Sequence, residues 1–261
     1  MNAPAAAPVS LRNLPFEMDG GAAARAAIGL IVLASDQSME PEFSDILRLD
    51  GVAVFHSRIR NDNQITPETL AAMEGRLKDT ADLLVPGAPL DVIGFGCTSA
   101  SMVIGEETVA ERIRESRPEV KVTTPITAAF AAFRALDCRR IALLTPYRDD
   151  VNEHIRGYVE ARGVSVPVMA SFNEPDDRHV ARIRVEDVRR AAIDLGRRDD
   201  VDSIFISCTN VRAAAVIAEI EAEIGKPVTS SNHALAWHCL RLAGVEDRLD
   251  GWGALYRKAL A

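Results

Sequence analysis

Two stretches of the chain align with each other without a gap. One is Asp91-Val92-Ile93-Gly94-Phe95-Gly96-Cys97-Thr98-Ser99, and the other is Asp202-Ser203-Ile204-Phe205-Ile206-Ser207-Cys208-Thr209-Asn210. They share Asp91/Asp202, Ile93/Ile204, Cys97/Cys208 and Thr98/Thr209. Each is a short apolar run that ends in a cysteine and two small polar residues before a helical pattern begins. That order describes a strand-to-helix turn with a thiol at the carboxyl end of the strand. Parallel α/β sheets bind ligands at that edge, so the repeat predicts two thiols meeting over one small molecule.

The rest of the chain repeats in the same order. Ile28 corresponds to Ile141, and Val122-Thr123 to Val228-Thr229, at nearly the interval that separates the two cysteines. Apolar runs too short for helices predict strands at 28–33, 51–55, 92–96 and 120–123, then at 141–144, 164–168, 204–207 and 227–229. Helices are predicted over 67–84, where Thr66 caps and Pro67 opens the first turn, and over 105–116, 128–136 and 150–162. Gly163 closes the last of these as the residue after the cap. Further helices are predicted over 179–197, 211–224, 233–242 and 245–260. The fold class is therefore α/β, with two pseudo-symmetric lobes, each a four-stranded parallel sheet flanked by helices. Residues 27–124 with 229–261 would form the first lobe and 125–228 the second, with the active site in the cleft between them. No Gly-, Pro- or Ser-rich linker separates the lobes, so tight packing is expected. Residues 1–26 are Ala- and Pro-rich with no apolar run behind a basic start, which predicts a flexible arm rather than a signal peptide.

A formal net charge of −8 over 261 residues argues against non-specific binding to nucleic acid or to an anionic membrane. No stretch reaches transmembrane length, and the expected location is the cytoplasm. Four cysteines do not make a disulfide framework in a chain of this size. Cys138 and Cys239 read as small buried hydrophobes. Neither cysteine turn contains a CxxC, and His233 and His238 do not share a helix face, so no metal is expected. The loop after the first strand has no GxGxxG or GxxxxGK[ST], so no nucleotide cofactor is expected either. The expected partner is a small carboxylate, and association with further copies of the chain is left open.

A cysteine at a strand end, followed at once by a helix N-terminus, has a physical reason to ionise, because free N–H groups and the helix dipole favour thiolate. The same N–H groups, the hydroxyls of Thr98, Ser99 and Thr209 and the amide of Asn210 would hold a carboxylate. With one thiol on each side of the adjacent carbon, one removes a proton and the other delivers one, which is racemisation without a cofactor. The same pair could add to an activated alkene and leave after rotation, which is cis–trans isomerisation. Two structural cysteines, or a silent two-lobe protein that closes on a ligand, are the bland alternatives. Selective alkylation of Cys97 or Cys208 near neutral pH would separate enzyme from binder.

Taken together, these residues resemble the Asp/Glu racemase superfamily, in the branch of maleate cis–trans isomerases, arylmalonate decarboxylases and ectoine-utilisation A proteins. The resemblance runs from about residue 27 to the C-terminus. It rests on Ile28-Gly29-Leu30-Ile31-Val32 with Ser38-Met39-Glu40, Gly96-Cys97-Thr98-Ser99, Thr145-Pro146-Tyr147, Ser207-Cys208-Thr209-Asn210 and Ser230-Ser231-Asn232. It implies cofactor-free chemistry at Cys97 and Cys208, with Tyr147 similar to the family tyrosine that contacts a substrate carboxylate. In arylmalonate decarboxylases the first cysteine position is glycine, so Cys97 points to a two-thiol isomerase or racemase. Maleate isomerases resemble this chain except that Asp36 and Asp177 stand where asparagines contact the substrate carboxylates. Two carboxylates facing a dianion repel it, so an amino-acid-like substrate is expected, as in ectoine breakdown, unless both aspartates merely cap the helices that follow.

Overall fold

The computed structural model describes residues 9–62 and 64–260. The expected arm lies partly outside these residues. Its described portion, from Val9 to the first strand, has no helix or strand and leaves Leu11, Phe16 and Met18 exposed.

The first sheet is built from β1 (Ala26–Leu33), β2 (Val52–Ile59), β3 (Val92–Gly96) and β4 (Lys121–Thr123). Between them run α1 (Met39–Ile46), α2 (Pro67–Ala71), α3 (Leu77–Asp82), α4 (Thr98–Ile104) and α5 (Glu106–Arg114). Then α6 (Pro125–Leu136) crosses to the second sheet, of β5 (Arg140–Thr145), β6 (Ser165–Ser171), β7 (Ser203–Ile206) and β8 (Val228–Ser230). Its helices are α7 (Asp149–Glu160), α8 (Asp177–Val180), α9 (Val185–Gly196) and α10 (Ile217–Ile224), and α11 (Ser231–Leu242) returns to the first sheet. Every strand pair is parallel, and the orders β2-β1-β3-β4 and β6-β5-β7-β8 are the same topology twice.

The repeated residues do the same work in each copy. Asp91, just before β3, accepts the Ala27 N–H with Oδ2 at 2.8 Å. Asp202, just before β7, accepts the N–H groups of Arg139 and Arg140 at the start of β5. Thr123 hydrogen-bonds His238 Nδ1 at 2.7 Å, and Thr229 hydrogen-bonds His233 Nδ1 at 3.0 Å. Both histidines are thus core residues of α11, tied to the ends of β4 and β8.

Alternation along β1 sends Ile28, Leu30 and Val32 to a core shared with α1, α6 and α11, and Ile31 and Leu33 to one shared with α3 and α5. Gly94 and Gly96 keep the first of these faces flat on β3. A Cβ on Gly96 would press into Met39 and lie 2.9 Å from the Ile31 carbonyl oxygen. The helix α6 faces two ways: Ala128, Ala131 and Ala132 pack in the first core, while Ile126, Ala129 and Phe133 pack in the second.

Several expected boundaries move. The 67–84 helix breaks around Gly75, the poorest helix former in its interior, into α2, a short 3-10 turn and α3. The 179–197 helix divides because the chain turns at 181–184, which lets Val180 and Val188 both reach the second core. No long helix follows residue 245; Gly251 and Gly253 hold positive φ angles, and only a 3-10 turn at Leu255–Arg257 remains. The expected change of lobe at 229 falls inside β8, which belongs wholly to the second sheet. Among the described residues, no helix is long and apolar enough to cross a membrane.

Candidate active site

Cys97 follows β3 and serves as the N-cap of α4. Its Sγ accepts the Ala100 N–H at 3.4 Å and lies 3.7 Å from Ser99 Oγ. Cys208 follows β7, and here the structure departs from expectation. No helix starts at this cysteine; residues 209–213 form an irregular turn, and the helix of the unit, α10, begins only at Ile217. Cys208 Sγ accepts the Asn210 N–H at 3.4 Å, and Tyr147 lines the same cavity as this sulfur. The two turns are alike in sequence and unlike in shape because side chains from elsewhere occupy the backbone groups that a helix would use.

Both thiols open onto one cavity at the carboxyl edges of the two sheets. Ser99, Tyr147, Asp177 and Thr209 line it together with the sulfurs. Asp177 is buried, and its Oδ2 accepts a 2.6 Å hydrogen bond from Ser35. It does not cap α8; Asp176 does that by accepting the Arg178 N–H at 2.9 Å.

The other three expected residues stand behind the lining. Thr98 turns away and pairs with Ser231 at 2.9 Å. Asn210 is a strut: its Oδ1 accepts the Gln37 N–H at 2.9 Å and its Nδ2 donates to the Asp177 carbonyl at 2.8 Å. Asp36 uses Oδ1 to accept the Ser38 and Met39 N–H groups at 2.8 Å each, holding the first turn of α1. Its Oδ2 is buried without a partner. The capping alternative therefore describes Asp36 and not Asp177.

One wall had no signal in the sequence. Asn61, Asp62, Gln64 and Ile65, followed by Thr69, Leu70 and Met73 around α2, close the cavity from above. Gln64 pairs with Asp176 in a single antiparallel bridge, joining this segment to the loop before α8. A polar run ahead of a capped helix is all that the sequence offers there, and any surface loop reads the same way.

The electrostatics reverse the expectation of a ready thiolate. Burial pushes the Cys97 thiol up to about 11, and the charges of Asp177 and Asp36 add to it against the Ala100 N–H and Ser99 hydroxyl. Burial and then Asp177 push Cys208 higher still, against the Tyr147 hydroxyl and Asn210 N–H. Without a ligand both sulfurs are thiols at neutral pH, because the closed cavity removes water and supplies negative charge. Burial likewise raises Asp36 to about 7, opposed by its bonds to Met39 and Ser38.

Residues 28–256 match the model of the arylmalonate decarboxylase family. The chain belongs to that family. Maleate isomerase from Nocardia farcinica is 32% identical over 241 residues, covering 88% of this chain and 95% of the relative. The crystal structure of the maleate isomerase Iso from Pseudomonas putida S16 superposes with a TM-score of 0.81 at 28% identity, covering 88% of this chain and 98% of that one. A cysteine-to-serine variant of the Nocardia farcinica maleate cis–trans isomerase, with a covalently bound succinylcysteine intermediate, superposes with a TM-score of 0.80 at 28% identity, covering 89% and 98%.

Proposed function

We propose that this family member is a cofactor-independent isomerase that moves a proton on the α-carbon of a small amino-acid-like carboxylate, using Cys97 and Cys208 as a pair. The observation that carries this reading is the charge of the cavity. Asp177 and Asp62 line it, and among the described residues no Lys, Arg or His does. A carboxylate placed about 4 Å from Asp177 would meet a repulsion of about 4 kcal/mol at the effective dielectric of such a site, and an ammonium would gain as much. A substrate with one carboxylate and one ammonium or amide group satisfies both ends. Its carboxylate meets the hydroxyls of Ser99, Thr209 and Tyr147, and its nitrogen meets Asp177. Derivatives of 2,4-diaminobutyrate, as in ectoine breakdown, have this form.

Such a substrate also eases the ionisation of the thiols. Burial is the main cause that keeps both sulfurs protonated, and an ammonium against Asp177 removes the charge that adds to it. Cys97, capped onto α4, is the easier of the two to ionise and releases its proton to solvent. The thiolate then takes the α-proton, the hydroxyls hold the charge that develops on the substrate carboxylate, and Cys208 returns a proton to the other face. Cys208 is left as thiolate and Cys97 as thiol, so the pair is set for the reverse direction.

The second reading is cis–trans isomerisation of maleate, favoured by the succinylcysteine relative. One experiment separates the readings. The protein is incubated in deuterated water with 2,4-diaminobutyrate, its acetylated forms, aspartate, glutamate and maleate, with Cys97→Ala and Cys208→Ala as controls. Deuterium entering the α-carbon of an amino-bearing acid, slowed about 100-fold or more in each variant, supports racemisation. Conversion of maleate to fumarate with no such exchange overturns it in favour of the second reading. If no substrate reacts while the intact thiols resist alkylation equally, the chain is a binding protein.

A further inference from the structure

Cys97 is held by its own helix, but Cys208 has none, so something else must fix its sulfur relative to its partner. The 209–214 turn is fastened to α1, which belongs to the other sheet. Ser38 Oγ donates to the Asn210 carbonyl at 2.8 Å. Glu42 Oε1 accepts the N–H groups of Ala213 and Ala214 at 2.8 Å each. Glu42 Oε2 accepts the Asn232 amide at 2.8 Å, and the same Asn232 nitrogen donates to the Thr209 carbonyl at 2.7 Å. Glu42 is half-buried as a residue, and burial of its carboxylate pushes its pKa up. Asn232 is fully buried, and its Oδ1 has no partner. A buried amide oxygen left unsatisfied costs stability, and here the orientation that leaves it so is the one that serves both Glu42 and Thr209.

We infer that Glu42 is a positioning residue for Cys208: working with Asn232, it pins the 209–214 turn to α1 and so sets one thiol against the other across the two sheets. The role rests on the two-thiol reading of the site, and no part of Glu42 lines the cavity. Glutamine at this position keeps an oxygen for Ala213 and Ala214 but turns an NH2 toward the Asn232 amide. Asn232 must then flip, and the Thr209 carbonyl loses its donor.

The test is iodoacetamide alkylation of the full chain at pH 8.5, resolved by mass spectrometry into the Cys97 and Cys208 peptides. Wild type, Glu42→Gln, Asn232→Ala and the double variant are compared. A positioning role gives Cys208 alkylation about tenfold faster in each single variant, no further rise in the double variant because the two act as one unit, and Cys97 within about twofold of wild type. A merely structural role makes both cysteines faster in step with a lower Tm, and that result overturns the inference. So does an unchanged ratio of Cys208 to Cys97 in all variants. Should Asn232→Ala not fold, the nearly isosteric Glu42→Gln decides alone, with Cys97 as its internal control. Because alkylation needs no substrate, the outcome stands apart from the exchange experiment. Where exchange is seen, kcat should fall about 100-fold, as misplacement by about an ångström allows, with KM little changed.

Discussion

Asp36 and Asp177 are both buried carboxylates beside the thiols, and they differ in what they can be asked to do. Asp36 titrates near 7 in the folded chain, against 3.8 for a free aspartate, because it is desolvated. The folded state therefore keeps a proton that the unfolded chain releases between about pH 4 and 7, and its contribution is full at low pH and lost as the pH rises through 7. His233 and His238, both lowered to about 4 by burial, act in the opposite sense: the unfolded chain takes up their protons as the pH falls below about 6.5. The wild-type profile mixes the two, and a variant isolates one. Asp36→Asn keeps an oxygen for Ser38 and Met39, so it should gain about 4 kcal/mol on wild type between pH 4 and pH 8.5. Urea unfolding at those two pH values measures it, and a constant difference would mean that Asp36 is ionised throughout. Asp177 faces the ligand instead. Asp177→Asn should shift preference from an amino-bearing acid toward maleate by about tenfold or more, read as the ratio of kcat/KM values. An unchanged ratio would remove the charge argument for the substrate.

At the scale of elements, the two cysteine turns show how a duplicated sequence diverges in use. The β3 turn runs straight into α4, so the local chain alone orients Cys97. The β7 turn has its N–H and C=O groups taken by Ser38, Asn232 and Glu42, so distant elements orient Cys208. The position of α1 then matters to both, and Gly96 is what lets it approach β3. Gly96→Ala would push Met39 and α1 outward at a cost of about 1–3 kcal/mol. Thermal unfolding should show that loss, and Cys208 alkylation should rise more than that of Cys97. A stable Gly96→Ala protein with unchanged Cys208 would show that α1 does not set the turn.

For the molecule as a whole, α6 and α11 tie the two sheets together. Phe133 on α6 stacks edge-on against Phe205 of β7 at 5.4 Å, while alanines of the same helix lie in the core that holds Trp237. Removing the ring should cost about 3–5 kcal/mol. Both tryptophans sit in or against the first core, so their fluorescence reports on the sheet that Phe133 does not touch. In Phe133→Ala the fluorescence and far-UV circular dichroism transitions in urea should shift together. Fluorescence that keeps its wild-type midpoint while the dichroism moves would mean that the sheets unfold separately.

The repeated strand pattern, Asp91 and Asp202 ahead of their cysteines, and Thr123 with Thr229 are local features with fixed spacing, so the sequence determined two like-ordered parallel sheets and the two thiols at their carboxyl edges. Where helices break was legible only in part, since Gly75 and Gly251 mark weak points but do not say which way the chain turns. Asn61, Asp62 and Gln64 over the cavity, the strut role of Asn210, and the tie from Glu42 through Asn232 join residues far apart in the chain. No periodicity encodes them. The protonation of the thiols belonged to tertiary structure as well: a helix N-terminus argues for thiolate from local geometry, but burial beside two carboxylates outweighs it, and burial is a property of the closed molecule.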